Sequence, residues 1–303
     1  MLLCRLNFAF NQRDELQHSA RWSGDFRGAF AIIFNRKGVV FMAICSFARK
    51  EIKFLINMEQ YHALMEVLCE HMNPDKYCIG GKEYGIYNVY YDTADDFLIR
   101  ESLSKPYYKE KVRLRSYYSP ADEDSPVFLE IKKKIGGIVT KRRVSMTLGE
   151  SREYLETGKK PVSDSYIQNQ VFKELDAFLE HYPVSPKQYI SYQREAFFGM
   201  DNKDFRLTFD RKLTERRHDL GLEYESYGNY IIEADQRIME VKISDSMPDW
   251  LLNKLSELKI YKTSFSKYGR AYMSYVQEQA TKSNIYISGI SMMNNKKIIN
   301  RSV

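Results

Sequence analysis

Apolar positions along this chain follow two different periods. In four segments they recur every three or four residues. Asn57 and Gln60 make a capping box, and after them Tyr61, Leu64, Met65, Leu68, Cys69 and Met72 share one face of a predicted helix. Ile167, Val171, Leu175, Phe178 and Leu179 predict a second helix from about Asp164 to Tyr182. A third begins near Ser246-Met247-Pro248-Asp249, where proline suits the first turn, and carries Leu251, Leu255 and Leu258. A shorter one follows Ser264 or Ser266 and runs through Tyr268, Ala271, Tyr272 and Tyr275.

Between these helices the period falls to two. It predicts strands at Glu51–Ile56, Gly85–Tyr91, Lys109–Tyr117, Val127–Lys133, Val139–Thr147, Tyr189–Phe197, Phe205–Arg211 and Glu240–Ile243. Gly136-Gly137 and the Ser119–Pro126 loop supply turn signals. Many strands with few helices predict an α+β fold built on a largely antiparallel sheet or barrel. Residues 1–41 show neither period and are expected to be an N-terminal extension, either flexible or the product of start-codon choice. Met42 then opens a compact domain expected over 42–278, and the polar, basic tail 279–303 is expected to be weakly ordered. A chain of 303 residues is long enough to bury a substantial core as one large barrel or as two domains.

The polar half of the strand pattern is charged. Lys111, Arg113 and Arg115 share one face, and Val112 and Leu114 the other. Glu130, Lys132 and Lys134 alternate with Leu129 and Ile131, and Lys141, Arg143 and Ser145 lie opposite Val144. Arg206, Thr208 and Asp210 alternate with Phe205, Leu207 and Phe209; Glu240 and Lys242 alternate with Val241 and Ile243; Tyr192 and Arg194 share a face. Two readings are open. One is a sheet with a core face and a solvated face; the other is a barrel with a cationic lumen and helices on its outer wall. Such a lumen repels itself unless it holds a multivalent anion. Arginine forks match phosphate oxygens, and a few carboxylates can hold a divalent metal that bridges phosphates.

Composition narrows the choice of partner. A net charge of +6 fits an anionic ligand and is far from that of a bulk nucleic-acid packager, so no nucleic-acid partner is expected. Cys4, Cys45, Cys69 and Cys78 have no CxxC spacing, and the five histidines form no HxxxH, which argues against a zinc site or disulfide scaffold and for a reducing cytoplasm. The longest apolar stretch is broken by Asn35, Arg36 and Lys37, so no transmembrane segment is expected. Gly80-Gly81-Lys82 lacks P-loop spacing. His62 and His71 sit on a predicted surface helix. The cluster Tyr84, Tyr87, Tyr90 and Tyr91 suits strand packing better than base stacking, and Tyr117 and Tyr118 lie near the end of the arginine strand.

Eight short motifs occur in order: Arg49-Lys50-Glu51-Ile52-Lys53-Phe54, Val89-Tyr90-Tyr91-Asp92, Arg113-Leu114-Arg115, Phe128-Leu129-Glu130-Ile131-Lys132, Tyr192-Gln193-Arg194-Glu195-Ala196-Phe197, Arg206-Leu207-Thr208-Phe209-Asp210, Met239-Glu240-Val241-Lys242 and Ser264-Phe265-Ser266-Lys267-Tyr268. Together they resemble the VTC domain, the polyphosphate polymerase branch of the triphosphate tunnel metalloenzymes (the CYTH-like superfamily), over about Ser46 to Tyr275. The resemblance implies a tunnel of antiparallel strands. It also implies ATP-dependent synthesis of inorganic polyphosphate, with inorganic or nucleoside triphosphatase activity and a non-catalytic polyphosphate-binding module as alternatives. By resemblance Lys53, Arg113, Arg115, Lys132, Arg143, Arg194, Arg206 and Lys267 form the phosphate-binding set. Tyr192 and Ser266 hydrogen-bond phosphate oxygens, and Glu240, helped by Glu130, holds a divalent metal, Mn²⁺ or Mg²⁺. Lys111, Lys134, Lys141 and Lys242, on the same strand faces, are expected to add substrate contacts. Hydrolytic relatives open with Glu-x-Glu-x-Lys, whereas Arg49 replaces the first carboxylate here, which matches the polymerase branch. The family's regulatory sensor and membrane helices have no counterpart in this chain, so a membrane or regulatory partner is left open.

Overall fold

The computed structural model describes residues 31–35, 38–42 and 50–282, with side chains from residue 50 onward. The chain divides into two units between Lys50 and Glu51. In the first, β1 (Ala31–Asn35) and β2 (Gly38–Met42) form an antiparallel hairpin, in register from Ala31↔Met42 to Asn35↔Gly38. This segment shows neither a helical nor a strand period. Its apolar residues form continuous runs, Ile32-Ile33-Phe34 and Val39-Val40-Phe41, and a search for alternation passes over such runs.

The second unit holds eleven strands in one sheet. They are β3 (Lys50–Ile56), β4 (Met72–Pro74), β5 (Tyr84–Asp92), β6 (Tyr108–Ser116), β7 (Pro126–Ile135), β8 (Ile138–Thr147), β9 (Ser185–Gly199), β10 (Arg206–Arg216), β11 (Asn229–Tyr230), β12 (Arg237–Ile243) and β13 (Lys262–Thr263). The helices are α1 (Met58–His71), α2 (Phe97–Leu103), α3 (Leu148–Thr157), α4 (Tyr166–His181), α5 (Asp249–Glu257) and α6 (residues 267–282). The expected α+β class and antiparallel sheet are present. The strand order is β13-β3-β12-β10-β9-β5-β6-β7-β8, with β11 on β10 and β4 on β9. Among the described residues β8 and β13 do not pair, so backbone hydrogen bonds leave the sheet open rather than closing it into the expected barrel. The sheet nevertheless curls. Lys132 of β7 lies within electrostatic reach of Glu51 and Lys53 of β3, although five strands stand between them in the sheet.

Alternation divides the sheet cleanly. On the convex face, Val112, Leu114, Leu129, Ile131 and Val144 pack with Tyr154 of α3 and Val171, Phe172 and Leu175 of α4. Farther along, Phe54, Leu207, Phe209 and Val241 pack with Leu64 and Leu68 of α1 and Leu251 of α5. Lys133 and Arg142, which also point outward, both pair with Glu174 of α4. On the concave face, Ile86, Tyr90, Ile190, Tyr192 and Ile238 bury Phe265, Tyr268 and Ala271, so the start of α6 is packed into the curl of the sheet.

Local signals account for the helix ends. Asn57 and Gln60 form the expected capping box on α1, and Thr147 and Glu150 form another on α3, which carries too few apolar residues to announce itself by period. At the β7–β8 turn, Gly136 and Gly137 both take positive φ, which a tight hairpin needs and glycine adopts without steric cost. Helix α6 continues to residue 282, past the boundary expected at 278; the tail beyond it lies outside the described residues.

Candidate active site

The concave face gathers almost every expected site residue into two carboxylate-centred clusters and a row of lysines. In the first cluster Glu240 of β12 accepts from Lys267 Nζ at 2.8 Å and lies 3.2 Å from Lys53 Nζ and 3.3 Å from Arg194 Nη2. Asp210 of β10 shares two of those cations. It takes a two-point bond from Arg194, at 2.6 and 2.7 Å, and a contact from Lys267 at 2.6 Å. Glu51 meets the cluster through Lys53 at 3.2 Å and Lys242 at 4.0 Å. Burial raises the cost of charge on Glu240, but Lys267, Lys53 and Arg194 outweigh it and hold the carboxyl well below the usual range. Burial likewise disfavours charge on Lys267, and Asp210 and Glu240 overcome it, so its pKa is raised.

The second cluster surrounds Glu130, which is 1 % exposed. Arg113 Nε donates to it at 2.8 Å with Nη2 at 2.7 Å, Lys141 donates at 2.9 Å, and Arg115 Nε lies 3.9 Å away. Both carboxylate oxygens are engaged by cations, as those of Glu240 are, so Glu130 orients Arg113 and Lys141 here. Arg113 also donates to the Tyr90 hydroxyl, and Arg115 to Asn88 Oδ1 and to the Tyr192 hydroxyl. Tyr192 links the two clusters, because Arg194 and Lys267 stand over its ring at 5.3 and 4.7 Å.

The third group has a surplus of charge. Lys111, Lys132 and Lys141 occupy directly paired positions on β6, β7 and β8, and Lys109 pairs with Lys134 one step beyond. Paired cross-strand positions have their Cβ atoms about 5 Å apart, so ammonium groups on the same face of neighbouring strands repel one another. Lys141 has Glu130 as a partner, but Lys132 and Lys134 make no ion pair among the described residues, and Lys111 only faces the Tyr268 ring at 5.3 Å. Burial and neighbouring lysines push Lys111 down to about 7, and burial brings Lys141 down to about 8 despite Glu130. A bound polyanion would relieve that repulsion.

The remaining expected residues lie at the margins. Arg206 is exposed and pairs in register with Lys242. Arg143 stacks on Phe128 at 4.4 Å, and strand parity separates it and Lys141 from the outward Arg142. Ser266 caps α6, accepting from the Gly269 N–H at 3.1 Å, which leaves its hydroxyl proton free to donate toward a ligand. Asp210, Asn88 and Tyr90 had been given no role. Asp210 carries a sequence signal, its parity with Arg206 and Thr208, whereas Asn88 and Tyr90 sit in a strand that reads as apolar. Thr208 Oγ1, beside Glu240 in the β10–β12 ladder, is buried without a hydrogen-bond partner.

No group of three His, Cys, Asp or Glu side chains converges among the described residues. Glu240 and Glu51, both within reach of Lys53, fit the sparser arrangement in which one or two carboxylates hold Mg²⁺ or Mn²⁺ together with substrate phosphates. No helix among the described residues is long and apolar enough to cross a membrane.

A search of curated proteins finds none that match. Among solved structures, a provisionally assigned adenylate cyclase from Bacillus halodurans superposes with a TM-score of 0.43 at 14 % identity, covering 72 % of this chain and 95 % of its own. HpAC1 from Hippeastrum, an adenylyl cyclase candidate described as having a dominant triphosphatase activity, gives 0.43 at 15 % identity, covering 74 % and 95 %. The family model of the VTC domain matches residues 48–276, most of the chain and every cluster described above, and the chain therefore belongs to the VTC domain family.

Proposed function

We propose that the protein is an ATP-dependent polyphosphate polymerase, transferring the γ-phosphoryl group of ATP to the end of a growing inorganic polyphosphate chain. The observation that carries this reading is the continuous cationic face, with its row of lysines short of carboxylate partners and running on beyond the two clusters. A nucleoside triphosphate alone needs only a few cations; a lengthening chain of phosphates needs a track. Membership of the VTC domain family supports the same substrate class.

Phosphoryl transfer asks little covalent chemistry of a protein and much positioning and charge compensation. Arg113 and Arg115, oriented by Glu130, and Arg194 and Lys267, oriented by Asp210 and Glu240, are held as preorganised donors. Their carboxylates fix the guanidinium and ammonium groups before substrate arrives, so little reorganisation accompanies the transfer. Lys132, Lys134, Lys111 and Lys141 hold the acceptor chain, whose terminal oxygen attacks the γ-phosphorus in line while ADP leaves. Glu240 and Glu51 are the residues that would hold a divalent cation, which would supply further charge neutralisation.

A second reading is a triphosphatase, favoured by one observation. Glu51 stands beside Glu240, joined to it by Lys53, so two carboxylates are available for a metal that could serve an attacking water. Incubation of the purified chain with ATP and Mn²⁺, followed by electrophoresis, separates the readings. Long phosphate chains with stoichiometric ADP are expected; free phosphate alone would establish the hydrolase, and no turnover would leave a binding module.

A further inference from the structure

We propose that Tyr84, Tyr117 and Phe128, with Tyr77 at their edge, form a platform for the nucleobase of the donor nucleotide. The proposal rests on the reading that the adjoining cations hold that nucleotide's phosphates. The rings form an unbroken run across the start of β5, the end of β6 and the start of β7. Centroids of Tyr77 and Tyr84 are 6.1 Å apart, those of Tyr84 and Tyr117 6.1 Å, and those of Tyr117 and Phe128 5.8 Å, and Arg143 closes the run over Phe128.

Each ring adjoins a cation of the site. Tyr84 pairs with Arg194 in the β5–β9 ladder, Phe128 pairs with Arg115 in the β6–β7 ladder, and Tyr117 follows Arg115 with the same parity. Packing does not use these rings up. Tyr117 is 37 % exposed and Tyr77 62 %, whereas the stacked pair Tyr90 and Tyr268 is buried against α6. A nucleoside triphosphate carries its charge at one end and a flat, neutral π-surface at the other. A face with arginines meeting partly open aromatic rings matches both, and stacking tolerates any base. The match also gives the site a direction, with the nucleoside at the aromatic end and the phosphate chain leading toward Lys111, Lys132 and Lys134.

The test compares two ligands that differ only in possessing a nucleoside. Calorimetric titration of the full chain with ATP and with tripolyphosphate gives both affinities. Tyr117→Ala should weaken ATP roughly tenfold, the scale of one lost base–aromatic stack, and leave tripolyphosphate unchanged; Tyr117→Trp should restore ATP. Equal weakening of both ligands, or an undiminished ATP affinity, would overturn the platform while leaving the phosphate site standing. Should Tyr117→Ala fail to fold, Tyr77→Ala, at the most open ring, makes the same comparison with the same two outcomes. A wild-type chain that binds neither ligand would overturn the phosphate reading itself, and the platform with it.

Discussion

Lys111 shows how single residues record the site's unmet charge. Its folded pKa is brought down to about 7 by burial and by Lys109 and Lys132, against 10.5 in an unstructured chain. Between those values the unfolded chain binds more protons, so this lysine makes stability rise with pH. A bound polyphosphate reverses the balance by favouring the charged form, and binding should take up protons. Tripolyphosphate affinity is therefore expected to fall as the pH is raised from about 7 to about 9. Titrations in two buffers of different ionisation heat should register the uptake, and Lys111→Met should lower it; an uptake unaffected by that substitution would assign the proton elsewhere. Glu130 and Glu240 also make stability rise with pH, but in the acid range. Both pKa values are depressed below 4.5, so their contribution is complete above about that pH and is lost as acid protonates them. Glu130→Gln should flatten the acid side of a melting profile and lower stability at neutral pH by about 3–5 kcal/mol, since it leaves three cations unbalanced. Glu240→Gln should abolish most ATP turnover at saturating Mn²⁺ while the chain still folds, because Asp210 continues to neutralise Arg194 and Lys267. Undiminished turnover would remove Glu240 from the site.

Among the elements, α6 connects folding to chemistry most closely. Tyr268 stacks on Tyr90 at 4.6 Å and donates to Asp92, whose carboxylate also accepts from the N–H groups of Leu98 and Ile99 in α2. One carboxylate thus ties both helices to the sheet, one residue away from Lys267. Tyr268→Ala should cost about 3–5 kcal/mol in denaturant melts and reduce turnover by displacing Lys267. A variant of native stability and activity would show that α6 is not what positions Lys267. Elements with a strong period, α1 and α4 and the strands β6 to β10, were legible in the sequence, as was the charged parity of their inner faces. Helix α3 was not, since Leu148, Ser151 and Tyr154 make too weak a stripe; nor was α2, a helix of 7 residues, too short to show a period, whose start is held by the Asp92 carboxylate. The two-residue strands β11 and β13 are too short to show a period and exist through their partners, the end of β10 for β11 and the far-removed β3 for β13. Site residues on the inner face of a charged strand could be read from parity. Asp210 could not be told from a solvated carboxylate, because its pairing with Arg194 and Lys267 depends on three elements meeting.

At the scale of the whole molecule, the apolar clusters lie on the convex face and under α6, while the charge lies in the curl of the sheet. That division is what a ligand-binding interior requires and an ordinary solvated face does not. Solvated lysines on a surface are screened by salt and indifferent to which anion is present. Cations gathered in a curl and oriented by buried carboxylates should bind a chain of phosphates as one ligand, with an affinity that grows with chain length. The most direct measurement is the rise in melting temperature produced by tripolyphosphate, since a ligand held only by the native state stabilises it by an amount that grows with the logarithm of its concentration over its dissociation constant. The account predicts a large rise that persists at physiological salt and is mostly lost in the double variant Arg113→Ala, Arg115→Ala. A small shift, erased by salt and unchanged in that variant, would contradict it.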